Sequence, residues 1–105
     1  MPNVAGEGMS VTFEWDPQKA KQNLKKHGVS FEEATTVFSD TLSVTISDPL
    51  HSEDEERFVI IGESIGQQLL VVVHADRGDR IRIISARIAT SHERKKYEEG
   101  NENST

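Results

Sequence analysis

The chain has 105 residues, a net charge of −6 and no cysteine. That length bounds it to one domain with a modest core and leaves no room for a separate cofactor domain. The missing cysteines exclude disulfides and thiolate metal sites. No apolar run approaches the roughly 18 residues of a membrane span; the longest, Leu69-Leu70-Val71-Val72-Val73, has the length of a buried strand. Residues 1–10 carry neither the charged start nor the apolar core of a signal peptide, so a flexible extension and a cytoplasmic protein are expected. The domain proper is expected over 11–99, with 100–105 as a polar, frayed tail.

Charge is unevenly distributed. Lys19, Lys21, Lys25 and Lys26 stand in residues 17–27 without an acid among them, and residues 76–96 hold seven bases against three acids. Residues 32–56 hold eight acids and no Lys or Arg. Fields fade over about 8 Å at cellular salt, so local potential decides what is attracted, and an acidic chain can carry a basic site.

A first strand is expected at Val11–Trp15. Asp16-Pro17 then predicts a helix start, with Asp as N-cap and Pro where its missing N–H costs nothing. Ala20, Leu24 and His27 form a narrow apolar stripe, and Gly28 predicts a left-handed C-cap behind Lys25 and Lys26. Ser30-Phe31-Glu32-Glu33 is a capping box for a short helix running to about Phe38. Four strands are expected at Leu42–Ile46, Arg57–Gly62, Leu69–His74 and Arg80–Ala86, with turns at Asp48-Pro49, around residues 62–68 and at Arg77-Gly78-Asp79. Short connections favour an antiparallel meander. Thr90-Ser91-His92-Glu93 caps a last helix that should end before Gly100. The order is β-α-α-β-β-β-β-α, an α+β domain.

The strand Ile81-Arg82-Ile83-Ile84-Ser85-Ala86-Arg87 carries the sharpest chemical signal, because arginine is hard to bury without an anionic partner. Strict alternation would put Ile81, Ile83, Ser85 and Arg87 on one face and Arg80, Arg82, Ile84 and Ala86 on the other. Arg87 then emerges at the end of a packed face, either in a site or paired structurally with Glu14 or Asp16. Arg77 sits at a hairpin tip. His27 has the side chain suited to proton exchange near neutrality, but its place on the apolar stripe equally fits a structural histidine. His51, His74 and His92 are scattered rather than spaced as zinc ligands. Glu53-Asp54-Glu55-Glu56-Arg57 offers a base and an anion clamp, or a solvated acidic loop. Trp15 suits either base stacking or the core. No Gly-rich phosphate loop, nucleophile elbow or metallohydrolase signature is present.

Four stretches in order, FEWDPQKAKQNLKKHGVSFEEATTVF, DPLHSEDEERFVIIGES, LLVVVHADRGDRIRIISAR and ERKKYEE, resemble the BrnT toxins of bacterial type II toxin–antitoxin modules. The resemblance covers Phe13 to Glu99; Gly66-Gln67-Gln68 departs from it, standing where many relatives have a basic residue after the glycine. It implies a RelE-like fold, with two N-terminal helices and one C-terminal helix on a small twisted antiparallel sheet. The implied function is a metal-independent RNA endonuclease that arrests translation and needs no cofactor. The implied partners are a ribbon-helix-helix antitoxin and, through it, operator DNA. The positions that match the motifs are Lys26, His27, Glu56, Arg57, Arg77, Arg82 and Arg87. The expected chemistry is attack of an RNA 2′-hydroxyl on the adjacent phosphate. Arg77, Arg82 and Arg87, supported by Arg57, would stabilise the growing charge, and His27, Glu56 or Lys26 would serve as base. The alternative is a non-enzymatic module that binds the antitoxin and acts through it.

Overall fold

Local signals start and stop most elements where the sequence predicts. In the computed structural model, which describes residues 11–48 and 55–103, helix α1 spans Pro17–His27 and follows strand β1, Thr12–Glu14. The Asp16 carboxylate accepts from the Gln18 N–H at 2.8 Å, and Gly28 closes the helix at φ 72° with its N–H donating to Leu24 O. Ser30 caps α2, Phe31–Thr35, by accepting from the Glu33 N–H, and a 3-10 turn at Thr36–Ser39 completes the expected second helix. The capping box is only half made. Glu33 turns its carboxylate to the Ser64 hydroxyl at 2.6 Å and so ties α2 to a distant turn.

Strands β2 (Val44–Ser47), β3 (Arg57–Glu63), β4 (Leu69–Arg77) and β5 (Arg80–Ile88) form the expected antiparallel meander. Gly78, at φ 74°, allows the two-residue reversal that pairs Arg77 with Arg80. The Asp48-Pro49 turn extends beyond the described residues, as do His51, Glu53 and Asp54.

The sheet is mixed rather than wholly antiparallel. Its order is β1-β5-β4-β3-β2, and β1 lies parallel to β5, Thr12 opposite Arg80 and Glu14 opposite Arg82. The chain reaches this edge by way of two helices and three strands, a long return that permits parallel pairing. Helix α3, Ser91–Asn103, also differs from expectation by running through Gly100. Residues 11–99 therefore do not contain the whole of the last helix.

Two apolar clusters lie on opposite faces of the sheet. Phe31, Ala34 and Val37 pack on Ile60, Leu70, Val72, Ile83 and Ala86 on the face of α1 and α2. On the other, Ala89 and Tyr97 cover Ile61, Leu69 and Val71. The Tyr97 hydroxyl donates to Asp40 Oδ2 at 2.7 Å and fixes α3 over that second face. Burial disfavours the charge on Asp40, but N–H groups of Glu63 and Leu42 and the Tyr97 hydroxyl outweigh it and lower its pKa.

The α1 stripe is not the expected one. Leu24 is 51% exposed, and the buried residue of α1 is Asn23. Strand β1 reaches only as far as Arg82, leaving the edge of β5 open beyond it. Asn23 closes that edge as a strand would: Nδ2 donates to Ala86 O at 2.8 Å, and Oδ1 accepts from Ala86 N–H at 3.1 Å. A further bond from Nδ2 to Val29 O secures the turn after the helix.

Candidate active site

One irregularity in β5 decides where its arginines point. Val73 pairs with Ser85 but His74 pairs with Ile83, so Ile84 is an extra residue, a β-bulge. Strict alternation fails there. Ile81, Ile83 and Ala86 face α1 and α2, whereas Arg82 and Arg87 fall on the α3 face, on either side of the bulge. Arg87 is opposite Val71, beneath α3, and not on the face of Ile81 and Ile83 as alternation predicts.

Arg87 also has a different partner from those expected. Its guanidinium makes a two-pronged contact with Glu93, Nη1 to Oε1 at 2.8 Å and Nη2 to Oε2 at 2.7 Å. Glu93 accepts from the N–H and hydroxyl of Thr90 as well, while its own N–H donates to Thr90 Oγ1, completing the capping box of α3. Arg87 outweighs burial and holds the Glu93 carboxyl at about 2, and Glu93 in turn raises the Arg87 pKa.

The other arginines converge where α3 does not cover the sheet. A row of residues runs across four strands in register: Arg57, Ala75, Arg82 and Glu14. Arg57, Arg77 and Arg82 line a cavity of about 310 Å³ with Glu14, Trp15, Asp16, Lys19, Ile83 and Ile84. Glu14 and Glu55 bind this group together. Glu14 contacts Arg80 at 3.2 Å and Arg77 at 3.5 Å, while Glu55 contacts Arg82 at 3.3 Å and Arg77 at 3.7 Å. Trp15 also meets Phe31 edge-on, 6.0 Å between centroids, so it belongs to both the core and the cavity wall.

Lys26 and His27 do not enter this cavity. They line an adjoining one with Lys19, Gln22, Asn23, Ile84 and Ser85. Glu56 is exposed and lines neither cavity. Thus Arg57, Arg77 and Arg82 come together, Lys26 and His27 stand beside them, and Arg87 and Glu56 lie elsewhere.

Sequence reasoning gave Glu14 and Lys19 no place in the site and named Glu55 only as part of an acidic run. Glu14 was visible only as a structural partner for Arg87; its true partners follow from the β1–β5 pairing. His74 plays another part. It is buried between Phe38 and Phe58, ring centroids 4.9 and 5.7 Å away, with Asp76 at 3.4 Å from Nδ1. Desolvation lowers its pKa, opposed by Asp76. Among the described residues, no three His, Asp or Glu side chains gather as metal ligands. Nor is any described helix long and apolar enough to cross a membrane.

The family model for the ribonuclease toxin BrnT of type II toxin–antitoxin systems matches residues 15–93. The chain belongs to the BrnT family. It is accordingly an endoribonuclease toxin rather than solely an interaction module, and toxin–antitoxin membership implies an antitoxin partner and an RNA substrate. The fold is similar to that of the crystallised Brucella abortus ribonuclease toxin BrnT, with 25% identity and a TM-score of 0.58. The match covers 78% of this chain and 100% of that one. A search of curated proteins finds no match.

Proposed function

We propose that this BrnT-family ribonuclease cleaves RNA without a metal ion, in the cavity that Arg57, Arg77 and Arg82 line. The convergence of these three arginines from β3, β4 and β5, beside the carboxylate of Glu14, carries the reading. Arginine suits the task because its planar donor fork matches phosphate oxygens and keeps its charge at all relevant pH. The 2′-hydroxyl attacks the adjacent phosphorus as Glu14 takes its proton, and the P–O5′ bond breaks. The arginines stabilise the charge that grows on the phosphoryl oxygens. The departing 5′-oxygen takes a proton from water in the open cavity, leaving a 2′,3′-cyclic phosphate and a 5′-hydroxyl. Glu14 replaces Lys26, His27 and Glu56 as the base because it lines the cavity that holds the arginines. Glu55 positions Arg77 and Arg82, and Arg87 anchors α3.

The partner in this reading is a ribbon-helix-helix antitoxin that covers the basic surface and carries the toxin to operator DNA in the cytoplasm. The decisive experiment digests RNA with purified toxin in chelator. Activity should persist, yield 5′-hydroxyl ends and fail where the cut site lacks its 2′-hydroxyl. Arg82→Ala should lower kcat by about 10²–10³, the usual loss for one preorganised donor. Cleavage of 2′-deoxy substrates, or activity that vanishes in chelator and returns with metal, overturns the mechanism.

A further inference from the structure

The two cavities adjoin and share a wall. Lys19 and Ile84 line both, so the space beside the arginines continues along β5 toward the end of α1. Its far part, about 250 Å³, is walled by Lys19, Gln22, Lys26 and His27 from α1 and by Ile84 and Ser85 from β5. The helix positions follow the helical repeat: residues 19, 22 and 26 are spaced three and four apart and share one face. On the strand side, the bulge gives the groove an unusual floor. Ile84 has no partner on β4 and is only half-buried, an apolar side chain among polar ones.

We infer that this second part of the groove is a subsite for a nucleotide flanking the cut. In it Lys26 contacts a neighbouring RNA phosphate, and Ile84 offers apolar surface to the base. The inference rests on the arginine cavity being the cleavage site, and it gives that site a direction: single-stranded RNA leaves it along the channel between α1 and β5. The chemistry is that of a strand-binding groove, with cationic groups tracking the backbone and apolar surface under a base. Gln22 and the Ser85 hydroxyl supply donors and acceptors in the same part of the groove. Lys26 and His27 thereby acquire a role in binding rather than in proton transfer.

Lys25 provides an internal control, since it neighbours Lys26 on the same exposed helix end but lines neither cavity. Lys26→Gln and Lys25→Gln make the same change in charge. Binding of an uncleavable 2′-O-methyl RNA hexanucleotide would be followed by fluorescence anisotropy over a range of salt. Binding of a 2′-O-methyl dinucleotide, which fills only the arginine cavity, would be followed by NMR titration. Lys26→Gln should weaken hexanucleotide binding about fivefold and reduce the salt slope by about 0.7, as one lost single-strand phosphate contact requires. It should leave the dinucleotide unaffected, and Lys25→Gln should match the wild type throughout. Equal behaviour of the two variants overturns the subsite, as does equal loss of both ligands in Lys26→Gln. So does a Lys26→Gln variant that binds RNA normally but loses its antitoxin. If the wild type binds the hexanucleotide in this Lys26-dependent way yet does not cut the all-ribose version, the subsite stands and the proposed cleavage chemistry falls.

Discussion

Removing the charge of Glu93 should separate the structural role of Arg87 from a catalytic one. Glu93→Gln keeps the size of the side chain and an acceptor for Thr90 but removes the ionic half of its contact with Arg87. The Glu93 carboxyl falls from the ordinary 4.5 to about 2, chiefly because of Arg87 and with help from the N–H and hydroxyl of Thr90. At about 1.4 kcal/mol for each tenfold change in proton affinity, this bounds the linked stabilisation near 3 kcal/mol. The Arg87 side chain is 39% exposed and Glu93 22%, so solvent screening reduces the expected effect to about 1–2 kcal/mol. The sign follows from proton binding. Between the two values the unfolded chain binds the proton more readily, so the contribution is complete above pH 4.5 and declines as pH falls toward 2. Urea unfolding at a series of pH values should give Glu93→Gln a deficit at pH 7 that narrows steadily below pH 4.5. A deficit that stays constant down to pH 3, or none at pH 7, would refute the reasoning. Arg87→Ala should lose comparable stability while the folded fraction retains wild-type kcat. Loss of turnover at undiminished stability would return Arg87 to the active site.

Two further perturbations test the scaffold. Asn23→Ala strips the open edge of β5 of its partner, leaving buried Ala86 N–H and C=O groups unmatched; a destabilisation of about 3 kcal/mol is expected in denaturant titration, and a loss below about 1 kcal/mol would mean that the edge finds other partners. His74 should make stability fall as pH drops below 6.5, because burial lowers its folded pKa and the unfolded chain takes the proton first. His74→Phe should flatten thermal stability between pH 7 and pH 5, and an unchanged slope would assign that pH dependence to other groups.

The elements were legible where the signal is local. Asp16-Pro17, Ser30, Gly28, Gly78 and the Thr90–Glu93 box each act within a few residues, and each appears in its predicted role. The grouping of Arg57, Arg77 and Arg82 was legible, but Arg87, expected with them, pairs with Glu93 instead, and the carboxylate partners of the three were hidden. Ile83-Ile84 looks like ordinary strand sequence, yet the extra residue there turns Arg87 onto the α3 face. No local pattern announces a bulge whose cause is the pairing of β5 with β4. Asn23 was hidden for a similar reason. A polar residue on a lysine helix looks solvent-facing until the chain's return has left a strand edge beside it.

The same long-range pairing explains how an acidic protein keeps a basic site assembled. Several guanidinium groups held close together repel one another, and the repulsion grows as solvent is excluded. The parallel β1–β5 edge brings Glu14 to Arg77 and Arg80, and the start of β3 brings Glu55 to Arg77 and Arg82. These carboxylates offset the repulsion and hold the guanidinium groups in place. They also make the charge of the cavity far less positive than its arginines suggest, so in the proposed cleavage site an RNA phosphate would gain less from general attraction than from matching the donor geometry. An acidic chain with interleaved carboxylates is therefore suited to discriminating a correctly placed phosphate from polyanions at large. In the proposed groove the lysines of α1, which form no ion pair among the described residues, would supply the attraction along it.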